Sequence, residues 1–127
     1  MEFYRVVNVS VFEEDIQKDI IPENIESFSN QLFKLGESSN EQLSIGSLWG
    51  EFTLLRQVIR GGIRFVLKEC PNALQWTITT GFPPEVEAII LHLTINRKSK
   101  DQIFIEEIEE FLDDHSKMLI GFFNNEV

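Results

Sequence analysis

Between Trp49 and Arg97, apolar and polar residues alternate in four short runs, a pattern that predicts a four-stranded antiparallel meander. Three connections punctuate it: Gly61-Gly62, Pro71-Asn72 and Phe82-Pro83-Pro84-Glu85. Pro71-Asn72 suits the centre of a type I turn. Pairing Cys70 with Ala73 across that turn sets Leu67 opposite Trp76, Phe65 opposite Ile78 and Ile63 opposite Thr80, all on one face. Gly61-Gly62 as a tight turn sets Val58 opposite Phe65 and Arg56 opposite Leu67. Ile89, Leu91, Leu93 and Ile95 form the apolar face of the last strand. Matching them to Ile78, Trp76 and Leu74 makes its loop run from Gly81 to Val86.

The flanking segments add a strand and helices. From Glu2 to Phe12, Phe3, Val7, Val9 and Val11 alternate with Tyr4, Asn8 and Ser10, as a half-buried strand requires. Glu13 to Ile21 is acidic and reads as a helical turn. Pro22 fits the first turn of a helix in which Ile25, Phe28, Leu32 and Leu35 recur at spacings of three and four, with Gly36 at its C-cap. Gln42 to Leu48 reads either as a short edge strand or as the bent lead-in to the meander, because Gly46 and Gly50 interrupt it. The last helix has the clearest pattern. Ser99-Lys100-Asp101-Gln102 resembles a capping box, with Asp101 as a competing cap. Phe104, Ile108, Phe111, Leu112, His115, Leu119 and Phe122 follow as an apolar stripe. Glu106, Glu107, Glu109, Glu110, Asp113 and Asp114 occupy its other side.

These elements predict one two-layer α+β domain over residues 1–127. It comprises an N-terminal strand, one helix, the antiparallel meander and a long C-terminal helix, with both helices packed on one sheet face. The opposite face then carries three cross-strand rows: Leu55, Lys68, Gln75, His92; Gln57, Val66, Thr77, Ile90; and Ile59, Arg64, Thr79, Ala88. Its aliphatic members read either as one damp side of an antiparallel sheet or as a contact surface.

Composition narrows the functional classes. A chain of 127 residues with 43% hydrophobic and 25% charged residues can bury a real core. Eleven phenylalanines against one tyrosine assign most rings to core volume. The single cysteine, Cys70, forbids an intramolecular disulfide and points to a reducing compartment. No run approaches a membrane span and the start alternates, so the expected location is cytoplasmic, without membrane association. The net charge of −10 is uneven. Five bases against four acids give the Gly50–Arg97 block +1, which leaves −11 for the flanks. That balance disfavours nucleic acid, since phosphate binding needs a concentrated basic surface.

Candidate chemistry is sparse. His92, beside Gln75 and Lys68, lacks the orienting carboxylate and nucleophile that catalysis needs, and reads as a solvent-facing strand residue. His115 lies on an apolar stripe and reads as buried with one hydrogen bond. Two distant histidines and one cysteine supply no metal-ligand spacing, so no metal or cofactor is expected. Cys70, at a hairpin corner, reads as inert. Arg56 is the most informative single residue, because its parity places it on the apolar face. A ligand carboxylate or phosphate would satisfy its guanidinium; alternatively its stem packs while its head reaches solvent or an acidic helix residue. No phosphate loop, nucleophile elbow or paired-carboxylate cleft occurs.

Three functions follow in order, leaning away from catalysis. The first is a small acidic, non-enzymatic interaction domain of adaptor, chaperone or toxin-neutralising type. It would bind another protein or itself, as a homodimer through Leu55, Ile59, Val66, Ile90 and His92. The second is a small-ligand binder or enzyme with a pocket between the C-terminal helix and the sheet, lined by Arg56, Trp76 and His115. The third, single-stranded nucleic-acid binding on the sheet face through Arg64, Lys68, Gln75 and His92, lacks exposed aromatics for base stacking.

Overall fold

The alternation of Ile63, Phe65 and Leu67, and of Trp76 and Ile78, becomes the buried face of two adjacent strands in the computed structural model, which describes residues 1–80, 88–96 and 102–124. Seven antiparallel strands form one sheet: β1 (Glu2–Val7), β2 (Leu32–Lys34), β3 (Gln42–Ser47), β4 (Gly50–Ile59), β5 (Gly62–Leu67), β6 (Gln75–Thr80) and β7 (Ile89–Thr94). Their spatial order is β1-β7-β6-β5-β4-β3-β2, so β1 closes one edge beside β7 and β2 the other. The α+β architecture is as expected. Helices α1 (Glu13–Asp19), α2 (Ile25–Phe28) and the long α3 (Gln102–Asn124) lie on the face that carries Phe65, Trp76 and Leu91. No helix among the described residues is long and apolar enough to cross a membrane.

All three meander hairpins keep the expected faces, and all three are displaced by two residues in register. Phe65 stands opposite Trp76, Arg56 opposite Phe65, and Ile78 opposite Leu91. The turns explain the displacement. The Cys70–Ala73 turn forms, with Ala73 N–H donating to the Cys70 carbonyl at 3.0 Å, but a second turn precedes it, from Cys70 N–H to the Leu67 carbonyl at 3.2 Å. Lys68 and Glu69 are spent in that turn, so Leu67 meets Leu74. In the preceding hairpin Ile59 pairs with Gly62, which makes Arg60-Gly61 the turn, with Gly61 left-handed at φ +91°. Gly62 serves a different purpose. A Cβ there would collide with the Ile78 carbonyl oxygen of β6, so only glycine admits this strand approach. The expected Phe82–Glu85 turn and the expected capping box at Ser99–Gln102 fall on or run into residues outside those described.

Three expectations are corrected, two of them at the β2 edge. The helix begun at Pro22 does not continue to Leu35. A single 3-10 turn (Pro22–Asn24) leads into α2, which stops at Phe28, and Leu32–Lys34 form edge strand β2. Consequently β3 is an interior strand, paired to both β2 and β4. The N-terminal strand ends at Val7 instead of Phe12, where Val9 N–H folds back to the Val7 carbonyl at 2.8 Å.

Short helices are marginal alone, and here long-range bonds hold them. Glu13 of α1 accepts the Gly61 N–H at 2.6 Å, and Gln17 donates to the Ile59 carbonyl at 3.0 Å, which docks α1 on the β4–β5 hairpin. At the far edge, Arg5 of β1 is clamped by two acids of α3: Glu109, and Asp113 at 2.9 Å. Asp114 accepts from the Asn30 backbone and side chain, both at 2.9 Å, and so ties α3 to the segment after α2. Part of the acidic face of α3 is therefore structural.

Candidate functional site

The helix stripe meets the sheet through rings. Phe111 of α3 lies edge-on to Trp76 of β6 at 5.3 Å and to Trp49 at 5.6 Å. Trp76 in turn touches Phe65 at 5.4 Å, and Phe28 of α2 touches both Phe65 and His115. Phe28, Phe65, Trp76, Phe111 and His115 are all buried to within one per cent of full burial. The backbone of α3 comes closest to β1 and to α2, and that of α1 to β5 and β6; between α3 and the β5–β6 pair the layers meet through these large side chains.

His115 is the polar centre of this layer. Its Nδ1 lies 2.6 Å from the Phe28 carbonyl oxygen, and its Nε2 lies 3.3 Å from the Trp76 indole nitrogen. A carbonyl only accepts and an indole N–H only donates, so Nδ1 carries the proton and Nε2 accepts. The ring is therefore neutral with a single tautomer fixed by its neighbours. Burial pushes its pKa down to about 4, against the smaller opposing pull of the Phe28 carbonyl and Asp114. Because Phe28 ends α2, the same bond satisfies one of that helix's orphan carbonyls.

Arg56 does not join this pair. Its Nε donates to the Ile20 carbonyl at 2.8 Å, and Nη2 to the Gln17 carbonyl. Both belong to the C-terminal end of α1, and burial lowers the Arg56 pKa. The guanidinium thus caps a helix, where sequence reasoning offered a ligand anion, solvent or an acidic side chain. Trp76 and His115 are brought together; Arg56 is turned away from them.

The outer sheet face holds Leu55, Ile59, Val66, Ile90 and His92 together, but in different rows. His92 stands between Thr77 and Tyr4, stacks on Tyr4 at 4.3 Å with rings nearly parallel, and reaches Glu2 at 3.0 Å. All five are half-buried by neighbours. Val6 and Tyr4, opposite Ile90 and His92, are strongly exposed on this face, and other exposed apolar side chains such as Phe12, Ile103 and Val58 lie elsewhere. Among the described residues no group of three or more His, Cys, Asp or Glu could hold a metal.

Sequence reasoning missed Trp49. It sits on the Leu48-Trp49 turn between β3 and β4, and its ring contacts Phe104 at 5.9 Å as well as Phe111. Its Nε1 is buried with no hydrogen-bond partner among the described residues. The available signal was a large ring in a tight turn before Gly50, a costly place unless another element covers it.

Comparison with known proteins places this geometry. No family model and no curated protein matches the chain. Its fold is similar to that of a START superfamily protein from Mycobacterium smegmatis, with a TM-score of 0.60 and 14% identity over 94% of each chain. The likeness in fold overturns the leading expectation of a self-associating interaction domain. The architecture shared by the two proteins is a helix-grip fold, an antiparallel sheet wrapped against one long C-terminal helix.

Proposed function

We propose that the protein binds a small, predominantly apolar molecule between α3 and the sheet. One observation carries this reading: α3 approaches by backbone at β1 and α2, while the span between α3 and the β5–β6 pair is bridged by Phe65, Trp76 and Phe111. Rings that fill a gap can change rotamer and admit a ligand, whereas a gap closed by backbone contact cannot. The aromatic lining suits apolar ligands. Trp76 and His115 satisfy each other and the Phe28 carbonyl, so they contribute shape and leave no polar group unpaired. The helix-grip likeness supports the same location.

Native mass spectrometry of protein purified without denaturation, together with titration of N-phenyl-1-naphthylamine, tests the proposal. That neutral dye fluoresces only when shielded from water. A co-purified small molecule, or saturable dye binding at one site per chain, is the expected result. No bound mass and no saturable fluorescence would sink it.

A further inference from the structure

We infer that Trp49 is the polar anchor of this site, and that its indole N–H takes a carbonyl or ether oxygen on a neutral, otherwise apolar ligand. The inference rests on the interlayer reading above and adds the ligand's chemical class.

The turn that carries Trp49 is braced by its own bonds. Ser47 Oγ accepts the Trp49 backbone N–H at 3.1 Å and donates to the Gly50 carbonyl at 2.8 Å, while Gly50 takes a φ of +120°. A braced turn fixes where the indole points, and it points against Phe104 and Phe111, at the α3 end of the aromatic layer. There its Nε1 is withdrawn from water without an acceptor. A buried donor left unpaired carries its full desolvation penalty. The same chain pairs its other indole: Trp76 Nε1 donates to His115. One satisfied and one orphaned tryptophan in a single layer marks the orphan as a group kept for something that arrives.

The surroundings define what arrives. Leu48 and Ile103, the sequence neighbours of Trp49 and Phe104, are apolar residues 49% and 69% exposed. Glu107 lies one turn before Phe111 on α3 and Glu110 directly before it, and the whole chain carries −10. A carboxylate or phosphate head would be repelled there. A ketone, ester or ether would not, and each offers the acceptor that the indole lacks.

The test compares two near-isosteric probes, 2-acetylnaphthalene and 2-ethylnaphthalene, titrated into wild type and Trp49→Phe by calorimetry. Phenylalanine keeps an aromatic ring and removes the N–H. The ketone should bind the variant about tenfold more weakly than wild type, the loss of one hydrogen bond. The hydrocarbon should bind both proteins alike. In ¹⁵N-labelled wild type, the Trp49 indole resonance should move downfield with the ketone and stay in place with the hydrocarbon. The ligand-free variant should melt no lower than wild type, because the orphan donor is gone. If both probes weaken equally and the melting point falls, Trp49 is packing and the anchor is refuted. If neither probe binds wild type, the interlayer reading fails and takes the anchor with it.

Discussion

The Trp76 indole N–H donates to His115 Nε2 across 3.3 Å while the opposite edge of the same imidazole donates to the Phe28 carbonyl oxygen. A β6 residue and an α3 residue thereby fix the end of a third element, α2, in the driest part of the molecule. Protonation at Nε2 would set two donors face to face with no water between them.

Stability should therefore fall on mild acidification. The His115 pKa is about 4 in the folded protein and 6.5 as the ordinary value, so below pH 6.5 the unfolded chain binds the proton first. The contribution is fully present above pH 6.5 and is lost as pH falls toward 4, by about 3 kcal/mol in all. Urea unfolding at pH 7, 5.5 and 4.5 measures it. His115→Gln can donate to Phe28 and accept from Trp76 without a titrating site, so its midpoint should vary less with pH. An equal pH dependence in both proteins would show that other groups govern the effect.

Arg56 is expected to act chiefly on α1, with a longer bond from Nη1 to the Asn40 carbonyl at 3.5 Å. Arg56→Met keeps the packed stem and frees the Ile20 and Gln17 carbonyls, at a cost of about 2 kcal/mol. Hydrogen exchange should quicken in residues 13–20 while β6 and β7 amides remain protected. Uniform acceleration across the sheet would contradict a capping role.

Two glycines should respond in opposite directions. Gly62→Ala drives a methyl group into the Ile78 carbonyl and should destabilise by about 3 kcal/mol, the upper end for overpacking. Gly121→Ala on α3 meets nothing within 4 Å and removes a helix-breaking residue, so a gain of up to about 1 kcal/mol is expected. Thermal melts of the two variants suffice. A harmless Gly62→Ala would mean that the β5–β6 approach is looser than described.

Local periodicity carried the core face. Ile63, Phe65, Leu67, Trp76, Ile78, Leu91 and Leu93 are all buried on the face that their alternation assigned. Register did not follow, because turn length is set by backbone bonds such as Cys70 N–H to Leu67 that leave no mark on alternation. A slip of two residues preserves parity, so each side chain kept its face and changed its neighbour. The end of α2 was illegible for a different reason. Leu32 continues the helical spacing from Phe28, but His115 and Asp114, more than eighty residues away, hold the carbonyl and amides that stop the helix. Arg56 shows the same limit: parity located it, and only the fold revealed that a helix end was within its reach. Trp49 looked like the mere start of a strand until Phe104 and Phe111 closed over it.

The Arg5 clamp joins β1 to α3, and β1 also takes its strand partner among the described residues, β7, from late in the chain. Pairing at this edge cannot begin until β7, more than eighty residues after β1, is available. The β2–β6 hairpins pair neighbours in sequence, but β1 must wait for the distant β7. Contacts of such sequence separation are entropically expensive to close and slow to form. The grip of sheet on helix should accordingly be the late step of folding, and an edge that forms last is also a natural one to open first.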